Sequence, residues 1–124
     1  MPILPLSGCG LRADDPLAPL PAAWECDLLT NALRWSPGVY DLFGFPRGLV
    51  VTRGEAVAMY TPESAALLEA VRSRAIAEAS SFTIDVTIQR RDGAFRRMRL
   101  TADVECRDRQ PVRLYGTKQD VTDE

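Results

Sequence analysis

The second half of the chain is built from alternating runs joined by tight turns, and this leaves it little choice of fold. Phe82, Ile84, Val86 and Ile88 alternate with Thr83, Asp85, Thr87 and Gln89. Met98, Leu100, Ala102, Val104 and Cys106 alternate with Arg97, Arg99, Thr101, Asp103 and Glu105. Successive side chains on a strand point to opposite faces, so each run predicts a strand with one apolar and one wet face. Asp92-Gly93 between them has the residue types of a tight hairpin turn. A second turn over about residues 107–111 leads to a final strand ending near Gln119.

The first half supplies two more strands and the helices. Trp24, Cys26 and Leu28 alternate with Glu25 and Asp27; Thr30-Asn31 reads as a turn, and residues 32–35 as a short partner strand. Ser36-Pro37 has the residues of a helix start, with Ser at the N-cap and Pro at the first helical position; Gly44 is placed to end that helix. Val39, Tyr40 and Phe43 are expected on its buried face. Thr52 and Glu55 have capping-box spacing for a short helix to about residue 59 or 60. Thr61-Pro62 opens the longest helix, to about Ala79. Its expected buried stripe is Leu68, Val71, Ala75 and Ala79, flanked by Leu67 and Ile76, with Arg72, Arg74 and Glu78 off it. Two strands, several short helices and three hairpin-linked strands make an α+β layout, one antiparallel sheet with its helices gathered on one face.

At 124 residues the chain is one domain. Residues 1–21 hold five of the nine prolines together with several leucines, and are set apart as an N-terminal arm from a domain over 22–124. A net charge of −2 gives no reason to expect nucleic acid or an anionic membrane as partner. Fourteen of the fifteen basic residues are arginine, which reads as compositional bias. The absence of histidine removes the commonest acid/base group, metal ligand and haem ligand together. Cys9, Cys26 and Cys106 form no C-x-x-C pair, so neither a zinc site nor a disulfide framework is expected. Leu6-Ser7-Gly8-Cys9 has the look of a lipoprotein cleavage box, but only eight residues precede the cysteine and none is basic, so it is not read as a signal. No apolar run has the length of a membrane span. A cytoplasmic location is expected.

Five short motifs then fall in order along residues 22–124: Trp24-Glu25-Cys26-Asp27-Leu28, Leu33 to Pro37 with Tyr40-Asp41-Leu42-Phe43-Gly44, Tyr60-Thr61-Pro62-Glu63, Arg90-Arg91-Asp92-Gly93, and Gly116 running to Asp120-Val121-Thr122. In this arrangement the chain resembles a PAS domain, whose members open on W-E-x-D-L, carry an R-x-D-G hairpin and close on G-x-x-x-D-I-T. The resemblance implies a five-stranded antiparallel sheet in the order 2-1-5-4-3 with helices enclosing a small pocket. It also implies sensing or protein contact, commonly as a dimer, with output through the segment after D-I-T.

Within that family His-ligated haem is excluded here, the Asn-Cys-Arg photoadduct motif of flavin members is absent, and nothing points to flavin or another bound cofactor. The candidate pocket residues are Tyr40, Phe43, Met59, Tyr60, Ile84, Val86, Met98, Leu100 and Leu114, although apolar residues at strand and helix periods are core by default. Arg90, Arg91, Arg96, Arg97 and Arg99 crowd one hairpin; they are expected to be a solvated face balanced by Asp92, Asp103 and Glu105. Glu25, Asp27 and Asp85 offer carboxylates for a small α+β cone enzyme, but alternation puts them on the sheet face away from the core. Asp120 and Thr122 are expected either to cap a signalling helix or to tie the sheet's end to the loop before the third strand. The expectation is a non-catalytic, metal-free sensory and interaction module of bacterial signal transduction. It is expected to act as a homodimer, and on a protein partner such as a signalling kinase or regulator, through surface contacts rather than a covalent output helix. The alternative is the input domain of a sensor histidine kinase or diguanylate cyclase that binds a small apolar ligand.

Overall fold

A computed structural model describes residues 19–124. Most of the arm, with Cys9 and the Leu6–Cys9 box, lies outside the described residues. The elements follow the order β1 (Ala22–Asp27), β2 (Leu33–Trp35), α1 (Pro37–Phe43), α2 (Arg53–Val57), α3 (Pro62–Glu78), β3 (Phe82–Gln89), β4 (Phe95–Arg107) and β5 (Gln110–Asp120). The strands form one antiparallel sheet in the order β2-β1-β5-β4-β3, so the last strand lies in the middle.

Alternation decides the two faces. Trp24, Cys26, Val86, Ile88, Met98, Leu100, Ala102 and Leu114 are buried beneath the helices, packed with Val39, Leu42, Phe43, Tyr60 and Leu68. The opposite face carries charge ladders: Arg113 between Glu25 and Glu105, and Arg99 between Asp85 and Glu124. The arginine-rich hairpin is balanced by one of the expected partners, Asp92, and otherwise by different ones. Arg97 and Arg99 pair with Asp85, Arg96 with Asp120, and Arg90 with Asp92, while Glu105 is taken by Arg113. Register explains the difference: Asp85 stands directly across from Arg99 and diagonal to Arg97.

Gly116 is fixed by a close approach of strands. It is paired with Trp24 on one side and Ala102 on the other. A Cβ there would overlap the Thr101 carbonyl oxygen and stand 2.7 Å from the Thr101 carbonyl carbon. The Trp24 indole N–H donates to that same oxygen at 3.2 Å.

The helix ends show where local signals hold. Thr52 and Glu55 form the full reciprocal capping box. Thr61 accepts from the Ser64 N–H, whereas Ser36, at the expected N-cap of α1, makes no side-chain cap; Pro37 fixes that start without it. In α3 the buried residues are Leu68 and Ala75, with Val71 and Ile76 half-buried. Leu67 is 42% exposed, and Ala79 is exposed because the helix has already ended there. Ala79 adopts a left-handed conformation, φ 51° and ψ 47°, in the position where glycine ordinarily ends a helix. Ala79→Gly is therefore expected to stabilise the protein by about 1 kcal/mol, read as a higher urea midpoint at unchanged slope; a lower midpoint would show that the left-handed backbone does not govern this helix end.

Candidate functional site

The site centres on a residue that alternation puts indoors against its chemistry. Leu114, Gly116 and Lys118 share one face of β5, so Lys118 points from the middle strand into the core, where it is 6% exposed. It is the one lysine of the chain. Its Nζ donates to the Tyr60 hydroxyl at 3.1 Å and stands over four rings, at 4.9 Å from Phe43, 5.4 Å from Trp24, and 5.6 Å from Trp35 and Tyr60. Those rings are themselves packed together: Trp35 stacks on Phe43 at 4.9 Å, and Phe43 tilts against Tyr60 at 6.2 Å.

No carboxylate pairs with Lys118 among the described residues. Burial therefore drives its pKa from 10.5 down to about 7, with Cys26 opposing the shift and Arg53 adding a smaller push downward. The ring faces favour the charged form, by about 2 kcal/mol for a desolvated pair. Against this, an ammonium with one hydrogen-bond partner in a dry core costs several kcal/mol. Burial likewise raises the Tyr60 phenol, which stays protonated, and raises the Cys26 thiol.

A cavity of about 50 Å³ lies against this group. Tyr60, Leu100, Leu114, Trp24, Cys26 and Lys118 line it from the core side. Arg53 at the start of α2 and Arg72 in the middle of α3 line its half-exposed edge. Arg53 is paired with Glu69, and Arg72 donates to the neutral Asn31 side chain at 3.2 Å. Three basic side chains thus line one small cavity, and of these only Arg53 has a carboxylate partner among the described residues.

The expected pocket residues divide between cavity and core. Tyr60, Leu100 and Leu114 face the cavity, and Phe43 belongs to the ring cage. Val86 and Met98 are buried in the core, and Met59 and Ile84 pack partly buried against it. Tyr40 is half-buried, turned so that its hydroxyl donates to the Leu49 carbonyl at 2.8 Å. Lys118, Arg53 and Arg72 were not among the expected site residues. The available signal was the parity of Lys118 with Leu114.

At the end of β5, Asp120 and Thr122 form a tie. Asp120 Oδ1 accepts from the Thr122 N–H at 2.9 Å and from its hydroxyl at 2.5 Å, and Thr122 Oγ1 accepts from the Arg97 N–H at 2.9 Å. Val121, buried, donates its N–H to the Arg97 carbonyl at 2.9 Å. The strand end is thus fastened to β4 rather than to the loop before β3. Glu25 and Asp85 are both engaged by arginines on the outer face, and Asp27 accepts the Leu29 and Thr30 N–H groups of its turn. No group of three or more potential metal ligands occurs among the described residues, and no helix there is long and apolar enough to cross a membrane.

No family model and no curated protein matches the chain. Solved structures do. The N-terminal domain of a diguanylate cyclase with a PAS/PAC sensor from Marinobacter aquaeolei is similar at a TM-score of 0.76 and 19% identity, over 83% of this chain and 96% of that one. A sensory box histidine kinase/response regulator from Burkholderia thailandensis is similar at 0.72 and 20%, over 83% and 78%. The PAS domain of the fruit-fly ELK potassium channel is similar at 0.66 and 16%, over 82% and 87%. The sheet order 2-1-5-4-3, the helices on one face and these likenesses together make the chain a PAS-fold domain.

Proposed function

We propose that this chain is a non-catalytic sensory module of signal transduction that takes its input in the cavity beside Lys118 and delivers it along β5. The carrying observation is connectivity. Lys118 lies two residues before Asp120 and four before Thr122, on the middle strand of the sheet. A change of charge or hydrogen bonding at Nζ therefore acts on the strand whose end is fastened to Arg97. The similarity to domains of a cyclase and a histidine kinase supports a place in such systems. The cavity is lined mostly by apolar side chains, but Arg53, Arg72 and Lys118 also face it, which favours a small molecule with a polar or anionic group over the wholly apolar ligand of the alternative reading. Amide hydrogen exchange tests the coupling: raising the pH through 7 is expected to change protection at Val121 and Arg97 in the wild type and not in Lys118→Met, after correction for the intrinsic exchange rate. Equal behaviour of the two proteins would remove β5 as the output path.

A second copy of the chain is the proposed immediate partner, with a signalling kinase or regulator beyond it. Leu20, 84% exposed just before β1, and the outward Tyr115 on β5 are two of the exposed apolar residues available for that contact. The ion-paired outer face suits the rim of such an interface rather than its centre. Light scattering is expected to give a dimer that Leu20→Asp/Tyr115→Asp weakens; a wild-type monomer at working concentration contradicts it.

A further inference from the structure

The cavity wall has a chemical signature of its own. An amine that gives up its proton near pH 7 is a nucleophile there, which an ordinary lysine is not. The Tyr60 hydroxyl, at 3.1 Å from Nζ, is placed to hydrogen-bond an oxygen on any carbon that Nζ attacks. Arg53 and Arg72 sit on the same wall, and only Arg53 has a carboxylate partner among the described residues, so the cavity carries surplus positive charge. About 50 Å³ is room for roughly three or four water-sized groups. The complement to this wall is a short molecule that bears a reactive carbonyl and a carboxylate next to each other.

We infer that Lys118 holds a short 2-oxo acid as an imine, with Arg53 and Arg72 taking its carboxylate. The inference rests on the reading of this cavity as the input site. The Nζ lone pair adds to the carbonyl carbon, the carbonyl oxygen gains a proton and the nitrogen loses one, giving a carbinolamine. The hydroxyl then leaves with a second proton as water and the C=N bond forms. No oxidant or reductant takes part, and hydrolysis reverses the reaction, as a sensor requires. Cys26 lines the same cavity, but its raised pKa keeps it a thiol and leaves the amine as the competent nucleophile.

Because the chain has one lysine, labelling reports on a single side-chain amine. The full protein is incubated at pH 7 with glyoxylate and cyanoborohydride, which reduces an imine to a stable secondary amine, and the adduct is located by peptide mass mapping. The α-amino group serves as internal reference. Relative to that reference, labelling of Lys118 is expected to be at least tenfold greater with glyoxylate than with acetaldehyde, which lacks the carboxylate. Arg72→Gln is expected to lower it several-fold, and Lys118→Met to abolish it. Labelling confined to the α-amino group, or equal labelling of Lys118 by both aldehydes, would overturn the inference. A melting curve run in parallel separates imine formation from simple binding. If acetate and glyoxylate raise Tm equally and no adduct forms, the imine is wrong and the cavity remains an input site. If neither acid shifts Tm and no adduct forms, both readings fall.

Discussion

Lys118→Met is expected to make the protein more stable at pH 5, by about 4 kcal/mol, and the advantage is expected to shrink as the pH rises. The folded-state pKa of Lys118, about 7, lies below the 10.5 of a free lysine. Below pH 7 the folded protein holds a buried ammonium and the penalty is fully present. Between 7 and 10.5 the unfolded chain binds a proton that the folded chain lacks, so wild-type stability rises against the variant by about 1.4 kcal/mol per pH unit. Above 10.5 both states are neutral and the gap is flat. Over that window the gain is on the order of 5 kcal/mol, and leaving the Tyr60 hydroxyl without its partner takes back about 1 kcal/mol in the variant. Comparing the two proteins cancels the groups they share, including Cys26 and Tyr60, which titrate at alkaline pH in the unfolded chain. Urea unfolding at intervals from pH 5 to 10 checks the slope. A pH-independent gap would mean that Lys118 keeps an ordinary pKa.

Gly116→Ala is expected to cost at least about 3 kcal/mol, the scale of a backbone clash in a packed core. The added methyl group would meet backbone rather than a side chain able to turn away, since the Thr101 carbonyl group already occupies its place. Moving β4 aside would also break the Trp24 indole bond to that oxygen and the Thr117 N–H bond to Thr101 Oγ1, at 3.2 and 3.0 Å. Gly54→Ala makes a fair control: it lies in an exposed helix, where an added Cβ meets nothing within 4 Å. It is expected to be neutral or slightly stabilising. Similar losses for the two variants, by chemical unfolding, would contradict the close approach as the reason for glycine at 116.

Sheet, helices and turns were legible because period and punctuation agree throughout. The alternating runs became β3 and β4, the final strand became β5, and the Pro and Gly signals bounded α1. The site was less legible, for a physical reason. Lysine is among the side chains least often buried, so residue type argued for the surface at a position that parity had already placed inside. Gly116 between Leu114 and Lys118 interrupts the apolar pattern and hides that parity. Arg72 lies off the stripe of α3, as its charge predicts, and this placement brings it to the half-exposed edge of the cavity. Arg74, also off the stripe, simply pairs with Glu78 one turn on at 3.3 Å. Periodicity does not distinguish these two arginines; the fold beneath them does. The Thr122 tie was legible as a strand-end device, but its partner, Arg97, is set by the β4–β5 register.

Both the pH-dependent stability and the nucleophilic amine require that Lys118 lose its proton in the folded core near neutral pH, and the chain's single lysine makes this directly observable. Protein labelled with ¹³C at lysine Cε gives one lysine resonance, whose shift follows the protonation of Nζ. Titrated from pH 5 to 11 in the folded protein, that resonance is expected to move with a midpoint near 7. A midpoint above 10 would contradict this, because the ammonium would then be stable in its ring cage and neither property would exist.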